Sequence, residues 1–172
     1  LDVDSSLQQI NQQILNGQHN VDLVMQTTNP LVTDDATAES LGITELASVH
    51  TSYFYGSSAA RIQNITTASS RFHGLLVAPG ESFSMADVLG DVSLDTGYSE
   101  ALIIFGDRTI KGVGGGVCQV STTLFRTAFF GGYQIDERWF HAYRVGYYEQ
   151  TASGGHDENL AGLDATVFAP QV

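Results

Sequence analysis

One cysteine, Cys118, occurs in the 172-residue sequence, and only Val117 separates it from a glycine run in GVGGGVCQVSTTLFRTAFFGG. A thiol becomes a nucleophile as its thiolate, and the N-terminus of a helix favours that form through its dipole and unpaired amides. Gly114, Gly115 and Gly116 leave the backbone bare just ahead of the thiol, so a substrate carbonyl can approach closely. Amides near Cys118 then form an oxyanion hole, with Gln119 as a further side-chain donor. A thiol nucleophile also needs an imidazole to carry its proton and a polar group to fix the ring. His141 in ERWFHAYRV is the candidate base, and Asp164 in GLDATVF the candidate orienting group, with Glu137 or a backbone carbonyl as alternatives. Ser121 and Thr122 share the helical face of Cys118 and are expected beside it.

Each residue also has a plainer role open to it. A solitary cysteine commonly packs as a small hydrophobe, His141 among Trp139, Phe140 and Tyr143 fits a core histidine, and Asp164 fits a loop cap. A metal site drawn from Cys118, His141, Glu137 and His156–Asp157–Glu158 lacks the close spacing of zinc ligands, so no metal or other cofactor is expected. GVGGG has no Lys-Ser or Lys-Thr pair in the register of a phosphate loop. With 19 acidic against 7 basic residues, the formal charge of -12 repels nucleic acid and anionic lipid.

The elements that must position these residues follow from periodicity. DSSLQQINQQILNG reads as an amphipathic helix stopping at Gly17, and VDLVMQTTNP as an edge strand before the turn TNPLVTDD. HTSYFYG reads as a strand, SSAARIQNITTASSRFHG as a helix, and LLVAPGESFSM as a strand broken at Pro79-Gly80. ALIIFGDRTIKG predicts two strands joined through Gly106-Asp107, and a helix begins at the cysteine. RWFHAYRVGYY and DATVF read as strands carrying His141 and Asp164. The fold class is therefore α+β: a helix with Cys118 at its N-terminus packed on a mostly antiparallel sheet, in the papain-like order Cys, His, polar residue. A 42% apolar content supports a full core. The start at Leu1, without Met, basic region or apolar leader, reads as a processed piece.

TSYFYGSSAARIQNI, PGESFS, the GY of DTGYSEA, GGGVCQVSTTL, ERWFHAYRV and GLDATVF together resemble the VanW family of bacterial envelope proteins. Residues 43–172 are the expected VanW domain, and 1–42 resemble the end of a peptidoglycan-binding-type module that often precedes one. The resemblance implies an extracytoplasmic protein of the bacterial envelope, held there through its N-terminal region, with peptidoglycan stem peptides as its partner. It implies L,D-transpeptidase activity with Cys118 as nucleophile. Gly116, Gln119, Ser121, Thr122, Arg138, His141 and Asp164 are the motif positions around it, His141 and Asp164 being read as catalytic and Gly115, Gly116, Gln119, Ser121, Thr122 and Arg138 as oxyanion or substrate contacts. A cysteine peptidase or amidase on the same peptides, and a non-catalytic envelope-binding module, are the alternatives. Family domains also continue past the DATVF strand, so a further strand and loop are expected beyond Val172.

Overall fold

The structure is a computed structural model that describes residues 1–28, 30 and 32–167. The chain divides into two compact units, Leu1–Glu45 and Leu46–Val172. In the first, helix α1 (Val3–Leu15) is capped by Asp2, whose carboxylate accepts from the Ser5 N–H at 3.0 Å. Buried Ser6 accepts from the Val24 N–H at 2.9 Å, and the Asp2 N–H donates to the Val24 carbonyl. Those two bonds occupy the backbone of Val24, so the expected edge strand is an extended segment tied to the start of α1. Asn29 and Leu31 of the expected turn lie outside the described residues.

The second unit is an α+β fold. Helix α2 (Ala59–Ser70) starts on a Ser58 cap, and a short helix α3 (Met85–Leu89) on a Ser84 cap. Strands β1 (Glu100–Phe105) and β2 (Arg108–Val113) form an antiparallel hairpin with Phe105 opposite Arg108 across the Gly106-Asp107 turn. Helix α4 (Val117–Phe130) follows at once. Ile65 and Ala68 of α2, Leu89, Tyr98, and Val117 and Val120 of α4 make the buried core.

Among the described residues the sheet has these two strands alone, fewer than the sequence pattern predicts. The 50–56 segment, the Pro79-Gly80 segment and RWFHAYRVGYY are irregular, and α3, a single capped turn, begins at Met85, where the expected broken strand ends. The cause is visible around 138–166, where side chains take the backbone groups that a strand ladder would use. Arg138 Nε donates to the Asp164 carbonyl at 2.8 Å, Thr122 both donates to and accepts from the Ala165 backbone, and the His141 N–H donates to the Asp164 carboxylate. The Thr166 N–H reaches the Trp139 carbonyl, the kind of contact a ladder would repeat. Phe168, the end of the expected DATVF strand, lies outside the described residues.

The glycine run is a packing device. A Cβ on Gly115 would stand 2.4 Å from the Leu102 carbonyl oxygen of β1, and one on Gly116 would stand 2.9 Å from the Arg61 carbonyl oxygen of α2. Gly116, at φ +117, is the N-cap of α4, a conformation that side chains rarely adopt. Fully buried Asn64 bridges the two sides, donating to the Ser99 and Gly115 carbonyls at 2.9 Å each and accepting from the Ser99 N–H. Gly115→Ala is expected to destabilise the protein by about 1–3 kcal/mol, since β1 backbone must move to admit the methyl group. A fall in the urea midpoint at unchanged slope checks this.

Candidate thiol active site

Cys118 lies in the first turn of α4, partly exposed and close enough to His141 to raise the pKa of its ring. The opposite side of the imidazole faces Asp164: Nδ1 lies 2.5 Å from Oδ2, and the same carboxylate oxygen accepts the His141 N–H at 3.0 Å. These two bonds fix the ring and assign the Nδ1 proton to the carboxylate, which leaves Nε2 for the sulfur. Tyr148 closes the far side, its hydroxyl 3.5 Å from Nε2. Burial holds that hydroxyl well above the ordinary range for tyrosine, so it stays protonated and able to donate.

Burial alone would push His141 towards its neutral form. The Asp164 carboxylate, and after it the neighbouring Cys118, overcome this and raise it from 6.5 to about 9. Burial likewise disfavours charge on Asp164, but the His141 bonds and the Arg138 guanidinium hold its carboxyl below the usual range. At neutral pH the ring is therefore an imidazolium between two acidic groups. That is the state in which it can hand a proton to a leaving amine.

At the start of α4, the Val117 and Gln119 N–H groups bond back to Gly114 and Gly116, while those of Gly116 and Cys118 have no acceptor among the described residues. They are the free donors beside the sulfur, as an oxyanion hole requires. The side chain of Gln119 is turned elsewhere. It is buried, donates to Ser52 Oγ at 2.9 Å and accepts from Arg61 at 2.7 Å, so it ties α2 and the 50s segment to α4.

Ser121 and Thr122 turn to the loop that carries Asp164. Both hydroxyls lie against the Ala165 carbonyl, at 2.5 and 3.2 Å, and so hold the residue after Asp164 onto α4. Arg138 clasps the same loop from the other side, through the Asp164 and Gly162 carbonyls, and lies over the Phe125 ring at 4.5 Å. Glu137 is exposed and bonds to the Trp139 indole, leaving Asp164 as the partner of Nδ1. The motif residues of α4 thus act on Asp164, which acts on His141, which faces Cys118.

Three participants carry no sequence signal that marks them. Arg126, on α4, is 1% exposed and donates to the Leu163, Tyr148 and Leu160 carbonyls. Tyr148 sits on a 3-10 turn, Gly146–Glu149, within what reads as a strand. Arg61, on α2, reaches the site from more than fifty residues away in sequence, and only its place in the predicted helix gives it a position. Among the described residues no group of three His, Cys, Asp or Glu could hold a metal ion, and no helix is long and apolar enough to cross a membrane. A groove of about 840 Å³ runs along α2 and α4 past Ser52, Ile65 and Leu124, but neither Cys118 nor His141 lines it.

Residues 60–172 match the family described as VanW like protein. The chain belongs to the VanW-like family. Among curated proteins it is 38% identical over 98 residues to the uncharacterized protein YoaR of Bacillus subtilis strain 168, a match covering 57% of this chain and 32% of YoaR. It is 29% identical over 107 residues to the vancomycin B-type resistance protein VanW of Enterococcus faecalis strain ATCC 700802 / V583, covering 62% of this chain and 37% of that protein. The chain thus spans about a third of the length of the curated relatives it matches. No solved structure matches it. The family match begins inside α2 and takes in the glycine run, α4 and both residues that flank the imidazole.

Proposed function

We propose that this VanW-like domain is a thiol acyltransferase of the bacterial envelope that cross-links peptidoglycan stem peptides by L,D-transpeptidation. The observation that carries the reading is the relay Asp164, His141, Cys118 at a helix N-terminus with two free amides beside the sulfur. The likeness to a vancomycin B-type resistance protein supports a cell-wall substrate. In this reading the domain works outside the cytoplasmic membrane, and Leu1–Glu45 is the end of a peptidoglycan-binding module.

The chemistry proceeds in two halves. The Cys118 sulfur attacks the carbonyl of the third stem residue, and the oxyanion is met by the Gly116 and Cys118 amides. The C–N bond breaks, the terminal D-amino acid leaves with the His141 proton on its nitrogen, and a thioester remains on Cys118. The side-chain amine of a second stem then attacks the thioester. His141 takes up its proton, the C–S bond breaks and the cross-link is released.

Incubation with muropeptide tetrapeptides, read by mass spectrometry, tests this. A thioester mapped to Cys118 together with cross-linked dimers is the expected result. Tripeptides without dimers would assign the site to hydrolysis, with water as acceptor. An unmodified thiol and unchanged peptides would reject the thiol mechanism and favour an envelope-binding role.

A further inference from the structure

Arg61 is a cation held near the start of α4, through Gln119, with no carboxylate partner among the described residues. Its Nε donates to Ser57 Oγ at 3.1 Å, one terminal nitrogen donates to Gln119 Oε1 at 2.7 Å, and its guanidinium lies 4.8 Å from the centre of the Tyr147 ring. Each of these contacts is neutral, and its Nη1 has no partner among the described residues. Of 7 bases set against 19 carboxylate side chains, Arg138, Arg144, Arg108 and Lys111 each find a carboxylate, Arg126 spends its donors on three carbonyls, and Arg71, like Arg61, has no carboxylate partner among the described residues.

Position makes it informative. Gln119, which Arg61 holds, is the residue after Cys118, and the Arg61 backbone carbonyl presses on Gly116. Tyr147 packs edge-on against Tyr148 at 4.7 Å, and Tyr148 feels the charges of both Cys118 and Arg61. The guanidinium is thus fixed on three sides, acts on the same two tyrosines as Cys118, and keeps part of its donor fork open. A preorganised planar fork of this kind suits a carboxylate.

We propose that Arg61 is a specificity-determining residue that binds the terminal carboxylate of the donor peptide. This rests on the acyl-transfer reading above and narrows it. The leaving group of that reaction is a single amino acid, whose carboxylate lies two bonds from the nitrogen that is expelled. A cation held on Gln119, the residue after Cys118, selects peptides in which the scissile bond is the last one and rejects those that continue beyond it. The carboxylate also orients the scissile carbonyl towards the Gly116 and Cys118 amides.

The test compares a synthetic tetrapeptide stem carrying a free C-terminal carboxylate with the same peptide as its C-terminal amide. Binding to Cys118→Ala protein is measured by calorimetry, without turnover. The amide is expected to bind roughly 10-fold or more weakly, and a further Arg61→Gln substitution is expected to bring the acid down to the level of the amide while leaving the amide unchanged. Equal binding of acid and amide, no binding of either, or an equal loss for both on Arg61→Gln would overturn the proposal. The last outcome would make Arg61 only the support of Gln119. Thioester formation on the unsubstituted protein is followed in parallel. A thioester without acid preference removes the carboxylate subsite alone, and acid preference without a thioester removes the thiol mechanism alone.

Discussion

Replacing His141 with Gln is expected to slow acylation of Cys118 by roughly 10²- to 10⁴-fold at pH 7, the usual contribution of a positioned acid-base group. Glutamine fills a similar volume and keeps a side-chain amide, but it carries no ionisable proton with which to protonate the departing amine. The pH dependence separates His141 from its support. His141 titrates at about 9, so the imidazolium population is complete at neutral pH and declines as pH rises through 9. Acylation should therefore lose rate on the alkaline side near that value. Asp164→Asn removes the strongest influence that raises the imidazole, while the burial that lowers it stays. The alkaline limb should move to lower pH in that variant, with the maximum rate also reduced because the amide fixes the wrong tautomer as readily as the right one. Stopped-flow acylation with an activated thioester-forming peptide, followed across pH 5–10, reads both effects. An alkaline limb that stays in place in Asp164→Asn would show that another group controls it.

Local pattern makes α1, α2, the hairpin and α4 legible, because each is set by features close together in sequence. The caps Asp2 and Ser58, the two-residue turn at Gly106-Asp107 and the glycine run before Cys118 all act within a few residues. The segments around His141 and Asp164 are legible as partners but not in shape. Their alternation of aromatic and polar residues reads as strand, yet their backbone groups are taken by Arg138, Thr122, Ser121 and Arg126, and no local pattern encodes a side chain arriving from a distant helix. The same limit explains Gln119. Beside a nucleophile it reads as an oxyanion donor, but its amide is committed to Ser52 and Arg61, partners 67 and 58 residues away. In sequence the three glycines suggest access for a substrate. Close approach does explain them, but what approaches Gly115 and Gly116 is the backbone of β1 and α2.

The Arg126 guanidinium shows how much of the site depends on such a distant arrival, and Arg126→Met should destabilise the protein more than Gly115→Ala does. Burial lowers the pKa of Arg126, opposed by the fields of Asp164, Glu149, Tyr148 and Asp157, and an arginine so placed remains charged. Its Nε and one terminal nitrogen each lie 2.6 Å from a carbonyl, those of Leu163 and Tyr148, and its third donor reaches Leu160 at 3.2 Å. Methionine can fill much of the space but leaves these carbonyls without donors. Removal of the buried charge returns part of that loss, so a net cost of roughly 2–4 kcal/mol is expected. For a chain of this size that is a fall in Tm of about 5–15 °C. Arg126→Lys should recover little, since one ammonium on a flexible stem cannot span three carbonyls fixed by a planar fork. The consequence for the site is directional. Leu163 immediately precedes Asp164 and Tyr148 covers His141, so losing Arg126 frees both supports of the imidazole at once. Amide exchange at Ala165 should accelerate in Arg126→Met under conditions where the hairpin Glu100–Val113 stays protected, because Thr122 holds the Ala165 N–H only while the loop stays seated. Uniform acceleration across both regions would mean that Arg126 serves the fold as a whole and not the loop that presents Asp164.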